Sequence, residues 1–185
     1  MCIRDRLYIG GCRSGKSTAA LQRADRMGAD RKLFLATCQP HDAEMRARIE
    51  RHQQERDAGW ETVEEPLDIA DIIRRHSRPQ TVILVDCLTL WLTNLIIGET
   101  DDKGIQQRIA VLEETLSGAP GPVLLVANEV GLGIVPDNAM SRRFRDWAGS
   151  LNQRMARCAR EVILTVAGIP IPIKSLTKAN LQEDE

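Results

Sequence analysis

Two observations predict an α/β fold with a mostly parallel central sheet. Short apolar runs alternate with helical patterns along most of the 185 residues. The runs are continuous rather than alternating, as in strands covered on both faces. Alternating β and α units imply parallel pairing through right-handed crossovers. The second observation is the stretch Gly10-Gly11-Cys12-Arg13-Ser14-Gly15-Lys16-Ser17, which fits G-x-x-x-x-G-K-[ST] at every fixed position. It follows the apolar run Leu7-Tyr8-Ile9 and opens a helical pattern at Ser17, the strand–loop–helix context a phosphate-binding loop requires. Together they predict a P-loop NTPase-like three-layer sandwich.

The elements follow in order. Leu7–Ile9 is a first strand, cut short at its start by Arg4, Asp5 and Arg6, and Ser17–Met27 a first helix. Lys32–Ala36 is a second strand, and His41–Arg56 a charged helix with Asp42 near its start and Gly59 beyond its end. Leu67–Arg75, introduced by Pro66, is a short helix. Thr81–Val85 is a β-branched run ending in Asp86. Leu88–Ile97 and Ile105–Leu116 read as helices and Pro122–Ala127 as a strand. Met140–Ala159 is a long amphipathic helix, followed by a strand at Val162–Val166. No repeat or low-complexity linker interrupts the chain, so residues 1–185 are expected to form one nucleotide-binding domain. Residues 1–6 are an atypical start and Ser175–Glu185 a polar, loose tail.

Composition narrows the function. A net charge of −1 gives no basic field for nucleic acid, and 3% aromatics are too few for a base-stacking platform. No apolar run approaches a membrane span of about 20 residues. The charged segment Met1–Arg6 is not a signal peptide. Five dispersed cysteines without a C-x-x-C pair read as reduced thiols, which places the protein in the cytoplasm.

The loop dictates the chemistry. Its glycines let backbone N–H groups converge on an anion, and the following helix adds its positive end. Lys16 reaches the β- and γ-phosphates of a nucleoside triphosphate, and the Ser17 hydroxyl holds Mg²⁺. Asp86 closes four apolar residues, Val82–Val85. It either caps the helix at Leu88 or holds Mg²⁺, and the phosphate loop favours the metal. His52 shares a helical row with Arg48 and Arg56 and falls on the side of Met45 and Ile49. An unprotonated imidazole there could attack the α-phosphorus of a nucleotide while guanidiniums hold phosphate oxygens. A histidine on a charged helix is nonetheless more often a solvated or packing residue. His41 and His76 are more ordinary. Glu129, in the glycine-containing loop Asn128–Pro136, is a base, a metal or substrate contact, or a solvated carboxylate. Arg142, Arg143 and Arg145 fit a wet helix face better than phosphate contacts. No Asp-x-x-Gly follows Asp86 and no Asn-Lys-x-Asp occurs, which disfavours a regulatory G-protein.

Several further segments coincide with one family. The chain resembles the bifunctional adenosylcobinamide kinase/adenosylcobinamide-phosphate guanylyltransferases of cobalamin biosynthesis. Beyond the loop, the resemblance rests on Ala36-Thr37, Asp42-x-Glu44-Met45-x-x-Arg48-Ile49-x-x-His52 and Trp60-x-Thr62-x-Glu64. It continues through Val85-Asp86-Cys87-Leu88-Thr89, Trp91-Leu92-x-Asn94, Asn128-Glu129-Val130-Gly131-x-Gly133-Ile134-Val135-Pro136, Arg145-Asp146, Asn152-Gln153 and Val166-Ala167-Gly168-Ile169-Pro170. It covers about Leu7 to Lys174. The resemblance implies phosphorylation of adenosylcobinamide by ATP or GTP. It also implies transfer of GMP from GTP to the new phosphate through a GMP–histidine, giving adenosylcobinamide-GDP. His52 alone fits the Arg-Ile-x-x-His pattern, which reverses the plainer reading above and makes His52 catalytic with Lys16. The resemblance places nucleotide contacts on Gly10, Gly11, Cys12, Arg13, Ser14, Gly15, Lys16 and Ser17. Others fall on Ala36, Thr37 and Cys38, on Gln53, Gln54, Glu55 and Arg56, and on Glu64 and Asp86, with Ser17 and Asp86 at Mg²⁺. It also implies a homo-oligomer. The start departs from the family: Arg4, Asp5 and Arg6 stand where members carry an apolar strand, and strand one is expected to be weakened there. A P-loop small-molecule kinase without guanylyl transfer, or a non-catalytic nucleotide-binding regulator, are the alternative readings.

Overall fold

The structure is a computed structural model that describes residues 5–39 and 59–175. One seven-stranded sheet runs in the order β3-β2-β4-β5-β1-β6-β7. The strands are β1 (Arg6–Gly10), β2 (Arg31–Ala36), β3 (Trp60–Glu64), β4 (Thr81–Asp86), β5 (Val123–Asn128), β6 (Glu161–Val166) and β7 (Ile169–Ser175). Pairing is parallel except between β6 and β7. The helices are α1 (Lys16–Asp25), α2 (Ile69–His76), α3 (Leu88–Ile97), α4 (Asp102–Gly118) and α5 (Ala139–Cys158).

Strand alternation builds two cores. Tyr8, Phe34, Val82, Leu84, Leu124, Val126 and Ile163 pack on Ala20 and Ala24 of α1. Leu7, Ile9, Leu33, Leu35, Ile83, Val85, Leu125 and Ala127 pack on the opposite face under α2 to α5. The continuous apolar runs are thus explained: each strand feeds a core on both sides. Because side chains alternate, Gly10, Ala36, Asp86, Asn128 and Thr165 all bear on the α1 face at the strands' C-terminal ends.

The expected weakening of strand one does not occur. Arg6 opens β1, and the whole strand is buried and in register with β5 and β6. Its charges are paired across neighbouring strands. The Arg6 guanidinium donates to both Glu161 carboxylate oxygens, at 2.7 and 3.2 Å. The Asp5 carboxylate accepts from the Val123 N–H at 3.0 Å, and the Asp5 carbonyl from the Arg160 N–H.

Two strands escape the sequence pattern, β3 (Trp-Glu-Thr-Val-Glu) and β7 (Ile-Pro-Ile-Pro-Ile-Lys-Ser), and both are edges. The β7 prolines are compatible with an edge, where the outward side needs no donor. Lys174 fastens β7 to the body: its ammonium donates to the carbonyls of Ala156, Arg157 and Ala159 at the C-terminus of α5, where the helix dipole favours a cation. Burial lowers the Lys174 pKa. His76, one residue beyond the predicted helix Leu67–Arg75, is the last residue of α2.

Candidate functional site

The phosphate loop leaves β1, whose two neighbours are β5 and β6. Gly10 is required by close approach: a Cβ there would meet the Thr165 carbonyl at 2.4 Å and Ser14 Oγ at 2.6 Å. Gly15 caps α1 at φ 89°, and Arg13 takes φ 53°. Both angles turn the loop inward. Flanking strands hold the loop. The Glu129 N–H donates to the Gly10 carbonyl at 3.0 Å, and the Gly168 N–H, in the β6–β7 turn, donates to the Ser14 carbonyl at 2.8 Å. The Lys16 ammonium is folded back onto the Gly11 carbonyl at 3.1 Å. Lys16 is buried, while Gly11, Cys12 and Arg13 are exposed. Ser14 Oγ is buried with no hydrogen-bond partner among the described residues.

Asp86 ends β4 on the same face. Its place is set by Thr37, whose buried hydroxyl accepts from the Cys87 N–H at 2.9 Å and donates to the Cys87 carbonyl at 2.7 Å. The Asn94 amide donates to the Thr37 carbonyl at 2.8 Å and to the Pro66 carbonyl at 3.1 Å, fixing α3 against this latch. Burial pushes the Cys87 thiol up to about 12. The Asp86 carboxylate adds to that shift and the Lys16 ammonium opposes it, so both charges act on one buried point between loop and β4.

β5 lies between β4 and β1, so Asn128 and Glu129 leave the sheet between Asp86 and the phosphate loop. The Asn128 N–H donates to Thr89 Oγ1 at 2.7 Å, and the Asn152 amide donates to the Asn128 carbonyl at 3.1 Å. The Glu129 carboxylate accepts from the Gly131 N–H. Glu64 is exposed at the end of β3, in one register row with Ala36 and Asp86. It stands four strand spacings from β1, roughly 19 Å.

The structure therefore brings together Gly10 to Ser17, Asp86 and Glu129, with Ala36 and Glu64 further along the same edge. Cys38 is half-buried beside Thr37. His41, His52, Gln53, Gln54, Glu55 and Arg56 lie outside the described residues. Arg142 donates to the carbonyls of Pro136 and Asp137, and Arg143 to Asp102 and the Thr100 carbonyl. These two brace the loop before α5 and the start of α4 rather than face water freely. Thr37 as a latch, Thr89, Asn94, Asn152 and Gly168 are positioning residues the motif chemistry does not assign. Their signal is present in the sequence, since each sits in a segment that carries the family resemblance.

Fold and site define a nucleotide-binding protein of the P-loop class. The backbone is similar to the assembled type III secretion ATPase EscN from enteropathogenic E. coli, with TM-score 0.51 and 12% identity over 89% of this chain and 43% of that one, a likeness of fold alone. The family model described as cobinamide kinase / cobinamide phosphate guanyltransferase matches residues 6–173, and the chain belongs to that family. It is 45% identical over 175 residues to the bifunctional adenosylcobalamin biosynthesis protein CobP of Pseudomonas aeruginosa, covering 93% of this chain and 98% of that protein. It is 41% identical over 180 residues to the bifunctional adenosylcobalamin biosynthesis protein CobU of Salmonella typhimurium, covering 91% and 98%. It is accordingly an enzyme of cobalamin biosynthesis, a kinase and guanylyltransferase.

Proposed function

We propose that both reactions use one phosphate loop. In the first, the aminopropanol hydroxyl of adenosylcobinamide attacks the γ-phosphorus of ATP or GTP. A new O–P bond forms, the bond to the departing nucleoside diphosphate breaks, and Glu129 takes the hydroxyl proton. In the second, His52 attacks the α-phosphorus of GTP and pyrophosphate leaves. The phosphate of adenosylcobinamide phosphate then displaces the imidazole, giving adenosylcobinamide-GDP. Lys16 and the loop N–H groups neutralise the phosphate charge. The nucleotide lies along the strands' C-terminal edge, phosphates on Gly10 to Ser17 and base toward Ala36, Thr37, Cys38 and Glu64, with Gln53 to Arg56 contributing.

Ser17, in the first turn of α1, and Asp86 offer hard oxygen donors on one face of the sheet, the donor type Mg²⁺ takes alongside phosphates. When bound, Mg²⁺ supplies further charge neutralisation at the phosphates. The protein is a homo-oligomer working in the cytoplasm. Among the described residues no helix is long and apolar enough to cross a membrane.

The observation that carries this reading is the phosphate loop after β1 with Asp86 at the matching end of β4, in a chain with the Arg-Ile-x-x-His segment. The test is incubation with α-labelled GTP. The expected product is an acid-labile, alkali-stable phosphoramidate on the protein, lost in His52→Ala. Normal labelling of His52→Ala sinks the covalent step. A protein that phosphorylates cobinamide but never labels is a kinase alone.

A further inference from the structure

β5 ends in Asn128, and a buried polar network holds that residue by its backbone. The Asn128 N–H donates to Thr89 Oγ1 on α3 at 2.7 Å, and the Asn152 amide on α5 donates to the Asn128 carbonyl at 3.1 Å. The Thr93 hydroxyl donates in turn to the Thr89 carbonyl at 2.9 Å. Thr89 and Asn152 are both buried. α3 and α5 cover the sheet face opposite α1, so both backbone groups of Asn128 are gripped from that face. Alternation after Leu124 and Val126 turns the carboxamide the other way, to the face of α1 and the phosphate loop. Asn128 is level with Gly10 on β1, and Asp86 is level with Val126 on β5. The carboxamide therefore stands between loop and carboxylate, one side-chain step beyond Asp86, with neighbouring strands about 4.8 Å apart.

The side chain is held in place without a partner of its own. Asn128 Oδ1 is buried and meets no donor among the described residues. Ser14 Oγ, on the loop, and Thr165 Oγ1, level with Gly10 on β6, are in the same condition. Buried polar atoms without partners are costly and call for a reason. Here they gather around Gly10, beneath the loop, where a bound group would bring hydrogen-bonding atoms of its own. The neighbours narrow what Asn128 can do. Asp86 and Glu129 are carboxylates, which only accept hydrogen bonds and repel a phosphate. Asn128, between them, is neutral and carries two N–H donors.

We propose that Asn128 reads the γ-phosphate. Its Nδ2 donates to a γ-phosphoryl oxygen of the triphosphate on the loop, and the Thr89–Asn152 clamp holds the residue for that contact. A donor fixed before the nucleotide arrives stabilises the charge on the phosphoryl oxygens as the bond to the diphosphate loosens. A diphosphate ends short of it. The inference rests on the placement of the phosphates proposed above, and on neither Glu129 nor His52.

The test is isothermal titration of ADP and of the non-hydrolysable β,γ-imido analogue of ATP into the intact protein, Asn128→Ala and Asn128→Asp, with urea unfolding of each. Truncation to Ala removes no hydrogen bond that the side chain makes among the described residues, so the urea midpoint should hold. The expected result for Asn128→Ala is an analogue Kd raised about tenfold with the ADP Kd within twofold, and cobinamide phosphorylation at saturating ATP down on the order of 100-fold. Asn128→Asp keeps the shape and sets a third carboxylate against the γ-phosphate, so its analogue Kd should rise further while ADP again holds. Equal weakening of both nucleotides, which a structural role would give, overturns the proposal, as does an unchanged analogue Kd. The phosphate placement is judged separately in the unaltered protein: if that protein binds neither nucleotide, the placement fails and the contact with it.

Discussion

Replacing Thr37 by Val tests whether the site depends on a latch rather than on the phosphate loop alone. Val keeps the volume and removes only the hydroxyl. Thr37 is fully buried and Cys87 nearly so, so water cannot replace the lost partner. The Cys87 carbonyl still accepts from the Trp91 N–H at 3.1 Å, so its loss is modest. The Cys87 N–H is orphaned, and an unsatisfied buried donor costs about 1–3 kcal/mol. With a further ~1 kcal/mol for the carbonyl's lost bond, the expected destabilisation is about 2–4 kcal/mol. Because Asp86 precedes Cys87, its carboxylate should also drift, and a displacement near 1 Å costs on the order of 100-fold in rate. Urea unfolding should show a lower midpoint with an unchanged slope. Kinase turnover and GMP labelling should fall together, and Thr37→Ser should recover most of both. A midpoint shift worth less than ~0.5 kcal/mol with full turnover would refute the latch.

Gly10→Ala should abolish nucleotide binding and lower the melting temperature, since the new Cβ meets the Thr165 carbonyl, part of the sheet, at 2.4 Å; isothermal titration with ATP checks it, and retained affinity would contradict the packing. Glu129→Gln keeps an acceptor for the Gly131 N–H but loses the base, so cobinamide phosphorylation should drop about 100-fold while GMP labelling stays within threefold; equal losses would deny it the proton-accepting role. Alkali should destabilise the fold through Cys87. Its folded-state pKa of about 12 lies above the ordinary thiol value of 9.0, so the folded form holds its proton while the unfolded thiol releases it. The stabilisation is complete below pH 9 and declines by about 1 kcal/mol per unit above it. Melting curves between pH 8 and 10.5 should slope down, less steeply in Cys87→Ala. Lys174→Met removes the cation from three carbonyls at the end of α5 and should cost about 1–2 kcal/mol with kcat unchanged, measured by denaturant unfolding beside the kinase assay.

What the sequence reveals follows from how local each feature is. The inner strands are legible because both faces are covered and their central residues are apolar, and α3 falls at Leu88–Ile97 as read. Edge strands are not. Trp60–Glu64 carries two glutamates because one side meets water, and the prolines of Ile169–Ser175 argue against a strand until the edge position is known. Arg6 reads as a break because its partner Glu161 is 155 residues away. The phosphate loop and Asp86 are legible from spacing and context. The Thr37–Cys87 latch is not, since it joins residues 50 apart across β2 and β4.

The placement of β5 decides what surrounds the phosphate loop. Were β4 directly beside β1, Asp86 would crowd the loop and no chain would emerge between them. With β5 interposed, a third segment leaves the sheet at that point, carrying Glu129 and the exposed Leu132, Ile134 and Val135. The same segment donates its N–H to Gly10, and the β6–β7 turn donates to Ser14 on the other side. The shape of the phosphate loop is thus set partly by two segments that are not phosphate ligands. A ligand that shifts either segment bears on the loop through these hydrogen bonds, and acceptor and nucleotide affinities are bound by reciprocity: whatever factor cobinamide changes ATP affinity by, ATP should change cobinamide affinity by the same factor, which paired titrations check.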